Sequence, residues 1–245
     1  MPYIENPKTK GSGILCAIPQ TGKCSNNCKD CFFQSGRSYL EPLEDNLPNL
    51  PPEDTNYIVR VNDGHDSSLD YPEVEKATKC YKNKFYNTSL IGIYSQFDAP
   101  FVLTLNPNEH TDNYYYEIIP PENLMFVRLR VNMWNLYNVV FPATEYYASW
   151  AVPVVYTFMA YHKESDIPER RLRDYSYRRR TSNSYYAIKE ESWRIVMDRF
   201  RGTKYEKYIS TCGKIEGEYG DTHCRFCGTC LREYFATKVR METKK

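Results

Sequence analysis

Ile14-Leu15-Cys16-Ala17-Ile18-Pro19-Gln20-Thr21-Gly22-Lys23-Cys24-Ser25-Asn26-Asn27-Cys28-Lys29-Asp30-Cys31 passes from a short apolar run into a loop bearing three cysteines. The run is continuous rather than alternating, which suits a strand covered on both faces of a parallel sheet. Five further apolar, β-branched segments follow at Tyr57 to Val61, Lys84 to Asn87, Phe101 to Leu105, Phe126 to Val131 and Val152 to Met159. Helical patterns lie between some of them. Tyr71 to Tyr81 carries Pro72 in its first turn, and Asn135 to Trp150 contains Pro142, which must kink or split it. Ile188 to Phe200 sets Trp193, Val196, Met197 and Phe200 on one apolar stripe, a core face. Strands alternating with helices predict an α/β layer fold, either an open sheet or a curved, incomplete barrel. Glu41 to Asp54, with Pro42, Pro48, Pro51 and Pro52, reads as a loop crossing to the second strand.

The chain has 245 residues, enough for one large catalytic body. Lys and Arg number 32 against 31 Asp and Glu, so global charge announces neither nucleic acid nor an anionic membrane, and partners must be argued locally. Mean hydropathy is -0.66, no apolar run approaches the ~20 residues that span a bilayer, and the amino terminus lacks a signal-peptide layout; the reading is a cytoplasmic protein. Nine cysteines in such a chain favour metal over disulfides, because a reducing compartment keeps thiols free and an odd count cannot fully pair. Cys16 and Cys80 fall outside the two cysteine groups and read as small buried hydrophobes. The apolar pattern stops after Phe200, and a division near Arg201 separates residues 1–200 from a Gly- and Cys-rich tail, 201–245. A tail that short needs a metal staple.

Cys24, Cys28 and Cys31 have the spacing C-x3-C-x2-C. Three thiolates leave one metal position open, whereas a closed zinc site or an ordinary 4Fe-4S cluster takes four protein ligands. The triplet also lies beyond the carboxyl end of a strand, where α/β folds place their active sites. This spacing, directly after a first strand and followed by Phe32-Phe33, resembles the radical S-adenosylmethionine (SAM) superfamily over about residues 12 to 160. The resemblance implies a partial (β/α)6 TIM-like barrel and a 4Fe-4S cluster on Cys24, Cys28 and Cys31. It further implies SAM bound at the fourth iron, its reductive cleavage to a 5'-deoxyadenosyl radical, and an electron donor such as a flavodoxin or ferredoxin. Mapped by position, Asn62, Asp63 and Gly64 stand where the family receives the SAM amino group, with Asp63 the best candidate. Asn87, Ser89, Asn106, Arg128, Arg130 and Asn132 stand where it holds the carboxylate and ribose, or are solvated and capping polar residues. The chain departs from the family at Asp30, an aromatic position in most members, so Phe32 or Phe33 would line the adenine.

Cys212, Cys224, Cys227 and Cys230 form a second set, C-x11-C-x2-C-x2-C, with His223 as an alternative ligand or a bystander. Four soft ligands make a closed site for structural zinc or a second 4Fe-4S cluster, and the cluster is the preferred reading. The set faintly resembles the auxiliary-cluster extensions of radical SAM peptide maturases. Between the last apolar strand and the tail, Arg170, Arg171, Arg173, Tyr175, Tyr177, Arg178, Arg179 and Arg180 interleave basic and aromatic groups. Such a stretch is a solvated face or a grip on a nucleic acid or a peptide. The expected function is therefore a radical SAM enzyme acting on a peptide, protein or nucleotide, and the alternative is a zinc-dependent nucleic-acid-binding module.

Overall fold

The computed structural model describes all residues except 1, 29–30, 32, 34–37, 91–95, 107–118, 182–183, 213–223 and 244–245. The expected positions Phe32 and His223, together with Asp30, lie outside the described residues. All six expected strands form: β1 Ile14–Ala17, β2 Ile58–Val61, β3 Lys84–Thr88, β4 Phe101–Leu105, β5 Leu124–Val131 and β6 Val154–Phe158. Residues Ile209–Thr211 add a further strand from the tail, numbered β9 after the hairpin strands described below, and the sheet order is β1-β2-β3-β4-β5-β6-β9. Every neighbouring pair in this sheet is parallel.

Because strand order follows chain order and crossovers share one hand, the connecting helices gather on one face. These are α2 Tyr71–Thr78, α3 Phe141–Ser149 and α4 Glu190–Asp198. Tyr71, Val74, Phe141, Tyr147, Trp193 and Val196 pack there against Val59, Val61, Leu103, Val127, Leu129 and Tyr156. The long helical pattern around Pro142 resolves into a π-helical turn at Leu136–Val140 followed by α3, with Pro142 in the first turn of α3. The π-helical turn runs directly into α3, and Pro142, with no N–H to give, stands at the change of pitch.

The opposite, inner face buries Ile14, Ile58, Phe85, Val102, Phe126 and Val155. A helix that the sequence pattern does not announce, α6 Thr229–Glu242, covers it, preceded by the single turn α5 Cys224–Cys227; the short helix α1 lies at Leu43–Asn46. Tyr234 of α6 is 2% exposed and its ring lies 6.3 Å from that of Phe85. Arg240 Nη2 donates to the Leu124 carbonyl at 2.7 Å, tying the far end of α6 to β5. Residues on both sides of Arg201 thus contribute to the same sheet.

One irregularity sets the character of this face. Phe101 pairs with Leu124 but Val102 with Phe126, so β5 carries one extra residue, Met125. The bulge moves Leu124 and Phe126 to opposite faces and places Phe126, Arg128 and Arg130 on the inner one. Outside the sheet, Tyr175–Arg178 (β7) and Tyr185–Ile188 (β8) form an antiparallel hairpin that takes the second half of the Arg- and Tyr-rich stretch, with Tyr177, Arg178, Arg179 and Arg180 exposed, while Arg170, Arg171 and Arg173 lie on a 3-10 turn, Glu169–Asp174, ahead of it. Among the described residues no helix is long and apolar enough to cross a membrane. Cys16 is fully buried as expected, whereas Cys80 is exposed: α2 ends at Thr78, and Lys79 and Cys80 lie at the surface before Tyr81 turns back into the core, which corrects the reading of Cys80 as a core residue.

If α6 is an integral cover, Tyr234→Ala should lower unfolding free energy by roughly 3–5 kcal/mol, the usual range for deleting a buried aromatic ring. Phe235→Ala, at a 57% exposed neighbour, should stay within about 0.5 kcal/mol in the same urea titration.

Candidate functional site

The cysteine triplet stands beyond the carboxyl end of β1, in a loop pinned from both sides. Ile18 and Asn49 exchange backbone hydrogen bonds at 2.9 Å. Gln20 Nε2 donates to the Asp66 carbonyl at 3.1 Å, and His65 Nε2 lies 2.9 Å from the Gly22 carbonyl. Within the loop the Cys31 amide donates to the Cys28 carbonyl at 3.2 Å, and Asn27 takes a φ of 45°, a left-handed turn that Asn tolerates. Cys24 is buried and Cys28 and Cys31 are half-buried. Burial pushes the Cys24 thiol pKa up, so its ionisation needs a cation to offset the cost. Asn26 Nδ2 donates both to Cys28 Sγ at 3.1 Å and to Ser89 Oγ at 2.8 Å, linking the triplet to the end of β3.

Asp66 organises the neighbouring loops. Its carboxylate accepts from Ser68 N, Thr88 Oγ1, Ser89 N and Ser89 Oγ, all at 2.6–2.9 Å. Beside it, at the end of β2, Asp63 Oδ2 accepts from Arg60 Nη2 at 3.2 Å and Asn6 Nδ2 at 2.7 Å. Asp63 Oδ1 and Asn62 Oδ1 are buried with no hydrogen-bond partner among the described residues. Orphaned buried acceptors on two consecutive residues are costly unless a donor is supplied, and an ammonium group would supply one. Gly64 is fixed by contact: a Cβ there would overlap the Phe33 ring, which also meets His65 edge-on at 5.7 Å. Phe33 therefore closes over the turn that follows β2.

Along the inner face, in-register neighbours project side by side: Cys16 with Arg60, Thr104 with Arg128, and Arg130 with Thr157. Arg128 Nη1 donates to Asn87 Oδ1 and Thr104 Oγ1, each at 3.4 Å, and Asn87 Nδ2 donates to the Val61 carbonyl at 3.1 Å. Arg130 Nη1 donates to Asn106 Oδ1 at 3.0 Å. Asn132 Oδ1 accepts from the Trp134 and Asn135 amides and so closes the turn that precedes the π-helical segment, while its Nδ2 and the Thr157 hydroxyl are buried without partners among the described residues. The face thus grades from apolar at the amino ends of the strands to polar and cationic at the carboxyl ends.

The tail cysteines come to this same face. Cys212 follows β9, with its amide donating to the Tyr156 carbonyl at 2.8 Å. Its thiol is hydrogen-bonded to that of Cys227, which with burial holds its pKa well above the ordinary thiol value. Cys227 Sγ lies 3.2 Å from Thr229 Oγ1, and Cys212 and Cys230 pack on the inner-face apolar cluster. The Cys224 amide donates to the Lys8 carbonyl at 3.0 Å. Burial raises the Cys224 pKa, and the nearby Arg60 guanidinium opposes the rise. Among the described residues, no three His, Cys, Asp or Glu side chains surround a single point as metal ligands would.

Sequence spacing picked out the cysteines and most of the polar residues at the strand ends. It missed Asn26, Arg60, Asp66 and Thr157; only Asp66, inside the turn after β2, carried a local signal.

Two results check this geometry. Gly64→Ala should destabilise by about 1–3 kcal/mol through overpacking, and combining it with Phe33→Ala should cost less than the sum by about 1 kcal/mol or more in a double-mutant cycle. Burial lowers the His65 pKa, so folding favours the neutral ring; this stabilisation is present above the unfolded value of about 6.5 and is lost as pH falls toward the folded pKa. His65→Gln should therefore flatten the decline in stability between pH 7 and pH 5, measured by denaturant midpoints.

No family model, curated protein or solved structure matches this chain.

Proposed function

We propose that the chain is a radical SAM enzyme working at the carboxyl ends of the parallel strands. The observation that carries this reading is a three-cysteine loop, C-x3-C-x2-C, next to the orphaned buried acceptors Asp63 Oδ1 and Asn62 Oδ1 at the end of the adjacent strand. The sequential winding of the parallel strands fits a partial barrel open between β1 and β9. Cys24, Cys28 and Cys31 would hold a 4Fe-4S cluster with one iron left for SAM. Such a cluster, once reduced by a donor such as a flavodoxin or ferredoxin, supplies reductive cleavage of SAM and a 5'-deoxyadenosyl radical that takes a hydrogen atom from the substrate.

The chain's own residues bind and shield. Asn26 donates to Cys28 Sγ and so stabilises thiolate character there. Asp63 and Asn62 accept the SAM ammonium group. Arg128 and Arg130, held in place by Asn87 and Asn106, present cationic donors to a carboxylate, with Ser89 and Asn132 as further polar groups at the strand ends. Phe33, seated on Gly64, keeps water from the turn after β2. The exposed Tyr177, Arg178, Arg179 and Arg180 of the hairpin offer a grip for a peptide, protein or nucleic-acid substrate. A cytoplasmic, reducing location suits exposed thiols and a labile cluster.

The test is anaerobic reconstitution followed by SAM and dithionite, with 5'-deoxyadenosine measured by chromatography. Wild type should form it, and the Cys24/Cys28/Cys31→Ala variant should not. Asp63→Ala should weaken SAM binding by about 10- to 100-fold, the worth of a hydrogen bond to a charged group. A cluster-loaded wild type that forms no 5'-deoxyadenosine, or a chain holding zinc alone, would sink the reading and favour a zinc-dependent nucleic-acid-binding module.

A further inference from the structure

The chain's positive charge is unevenly spread. Residues 170–180 carry six arginines against one aspartate, a net charge of +5 in a chain whose total is +1. The rest of the chain is therefore net negative, and this stretch is a local cationic footprint rather than part of a basic surface. Arg171 is answered by Asp174, with Nη1 3.5 Å from Oδ2. Arg170, Arg173 and Arg179 are exposed, and among the described residues no carboxylate lies within 4.0 Å of them.

The root of the β7–β8 hairpin is fixed. Tyr175 is buried, its ring lies 6.1 Å from that of Trp134 and 5.7 Å from that of Tyr161, and its hydroxyl accepts from the Met133 amide at 3.4 Å. Tyr161 and Tyr186 exchange backbone hydrogen bonds, which joins β8 to the segment after β6. Beyond the root the ribbon shows tyrosine on both faces. On one, Tyr177 stands opposite Tyr186 with ring centroids 5.2 Å apart, and Tyr177 is 56% exposed. On the other, Arg178 stands opposite Tyr185, and the Arg180 guanidinium lies 5.5 Å over the Tyr185 ring.

Rings and guanidinium groups interleaved on an anchored, exposed ribbon are the two components of a single-strand platform, π-faces for bases and cations for phosphates. An acidic peptide uses the cations and leaves the rings idle. A duplex offers phosphates, but its bases are stacked on one another and do not reach a tyrosine face. A folded protein partner calls for an interface centre depleted of charge, and here the centre is charged.

We propose that the β7–β8 hairpin, with Arg173 on the turn ahead of it, binds a single-stranded nucleic acid, RNA or DNA, its bases stacking on Tyr177 and its phosphates meeting Arg173, Arg178, Arg179 and Arg180. This narrows the substrate to a nucleotide polymer. That the bound strand is what the radical acts on rests on the radical SAM reading, whereas binding itself needs no cluster.

The experiment is fluorescence anisotropy of the full chain with labelled oligouridylate and oligothymidylate of about 16 nucleotides, from low salt upward. At least one strand should bind saturably, and the tighter one assigns the sugar. Tyr177→Ala should weaken binding about 10-fold, and Tyr177→Phe, which keeps the ring, should return it to within about 2-fold of wild type. Arg173→Ala combined with Arg179→Ala should lower the slope of log affinity against log salt by about 1.4, the loss of two phosphate contacts. Unlabelled duplex and polyglutamate of matched charge should displace the strand about 10-fold less well than the unlabelled strand does. Circular dichroism and melting on each variant separate a lost contact from a lost fold. Equal displacement by polyglutamate makes the hairpin an acidic-peptide site and overturns the proposal. So does equal displacement by duplex, wild-type binding by Tyr177→Ala, or no saturable binding of either strand. The Cys24/Cys28/Cys31→Ala variant should bind as wild type does. A chain that binds the strand but forms no 5'-deoxyadenosine refutes the radical reading alone, and one that forms it but binds no strand refutes this proposal alone.

Discussion

Arg60 enters the inner face of the sheet as a buried cation, and a buried cation must be met by charge or by hydrogen bonds. Here Asp63 meets it from three residues ahead, at the end of the same strand, and Cys16 meets it from the neighbouring one. Asp63 in turn takes Asn6, which secures the amino-terminal segment against the sheet. One ion pair therefore fixes the first two strands and the entry segment relative to each other. It also fixes which Asp63 oxygen is occupied and which is left without a partner among the described residues. Stranding either member of such a pair is far more costly than the pair is stabilising, so the arrangement specifies geometry more than it adds stability.

The polar network above this pair belongs to loops rather than to strands. Asp66 gathers the turn after β2 and the end of β3, and Asn26 joins that assembly to Cys28. A carboxylate that accepts four donors holds two loops in one relative position without occupying the space between them. The triplet is thereby placed by contacts outside its own short segment.

Much of this architecture was legible in the residues. Continuous apolar runs such as Phe101 to Leu105 read as buried parallel strands because no other short element needs apolar groups on both sides. The hairpin was not legible: Tyr175 to Arg178 alternates tyrosines with the polar Ser176 and Arg178, and its strand character comes from pairing with β8. The strand Ile209–Thr211 is too short and too polar to carry a pattern, and α6 shows its apolar side only once Phe85 stands opposite Tyr234. The cysteine spacings gave both candidate centres. Asn26, Arg60 and Thr157 were silent, because a polar residue declares a role in a site only through tertiary partners. Cys80 was misread, since hydrophobicity alone does not say which side of a helix end the chain leaves by.

The cover formed by α6 makes long connections. Tyr234 reaches Asn83 across 151 residues, and Arg240 reaches Leu124 across 116. Contacts so distant in sequence close late, because the intervening chain must be ordered before they contribute. During synthesis from the amino end, β1 to β6 emerge well before the helix that covers them. The inner face accordingly spends most of the chain's assembly open to solvent and is sealed last. The interval before α6 docks is therefore the stage of assembly at which that apolar face is open to non-native contacts.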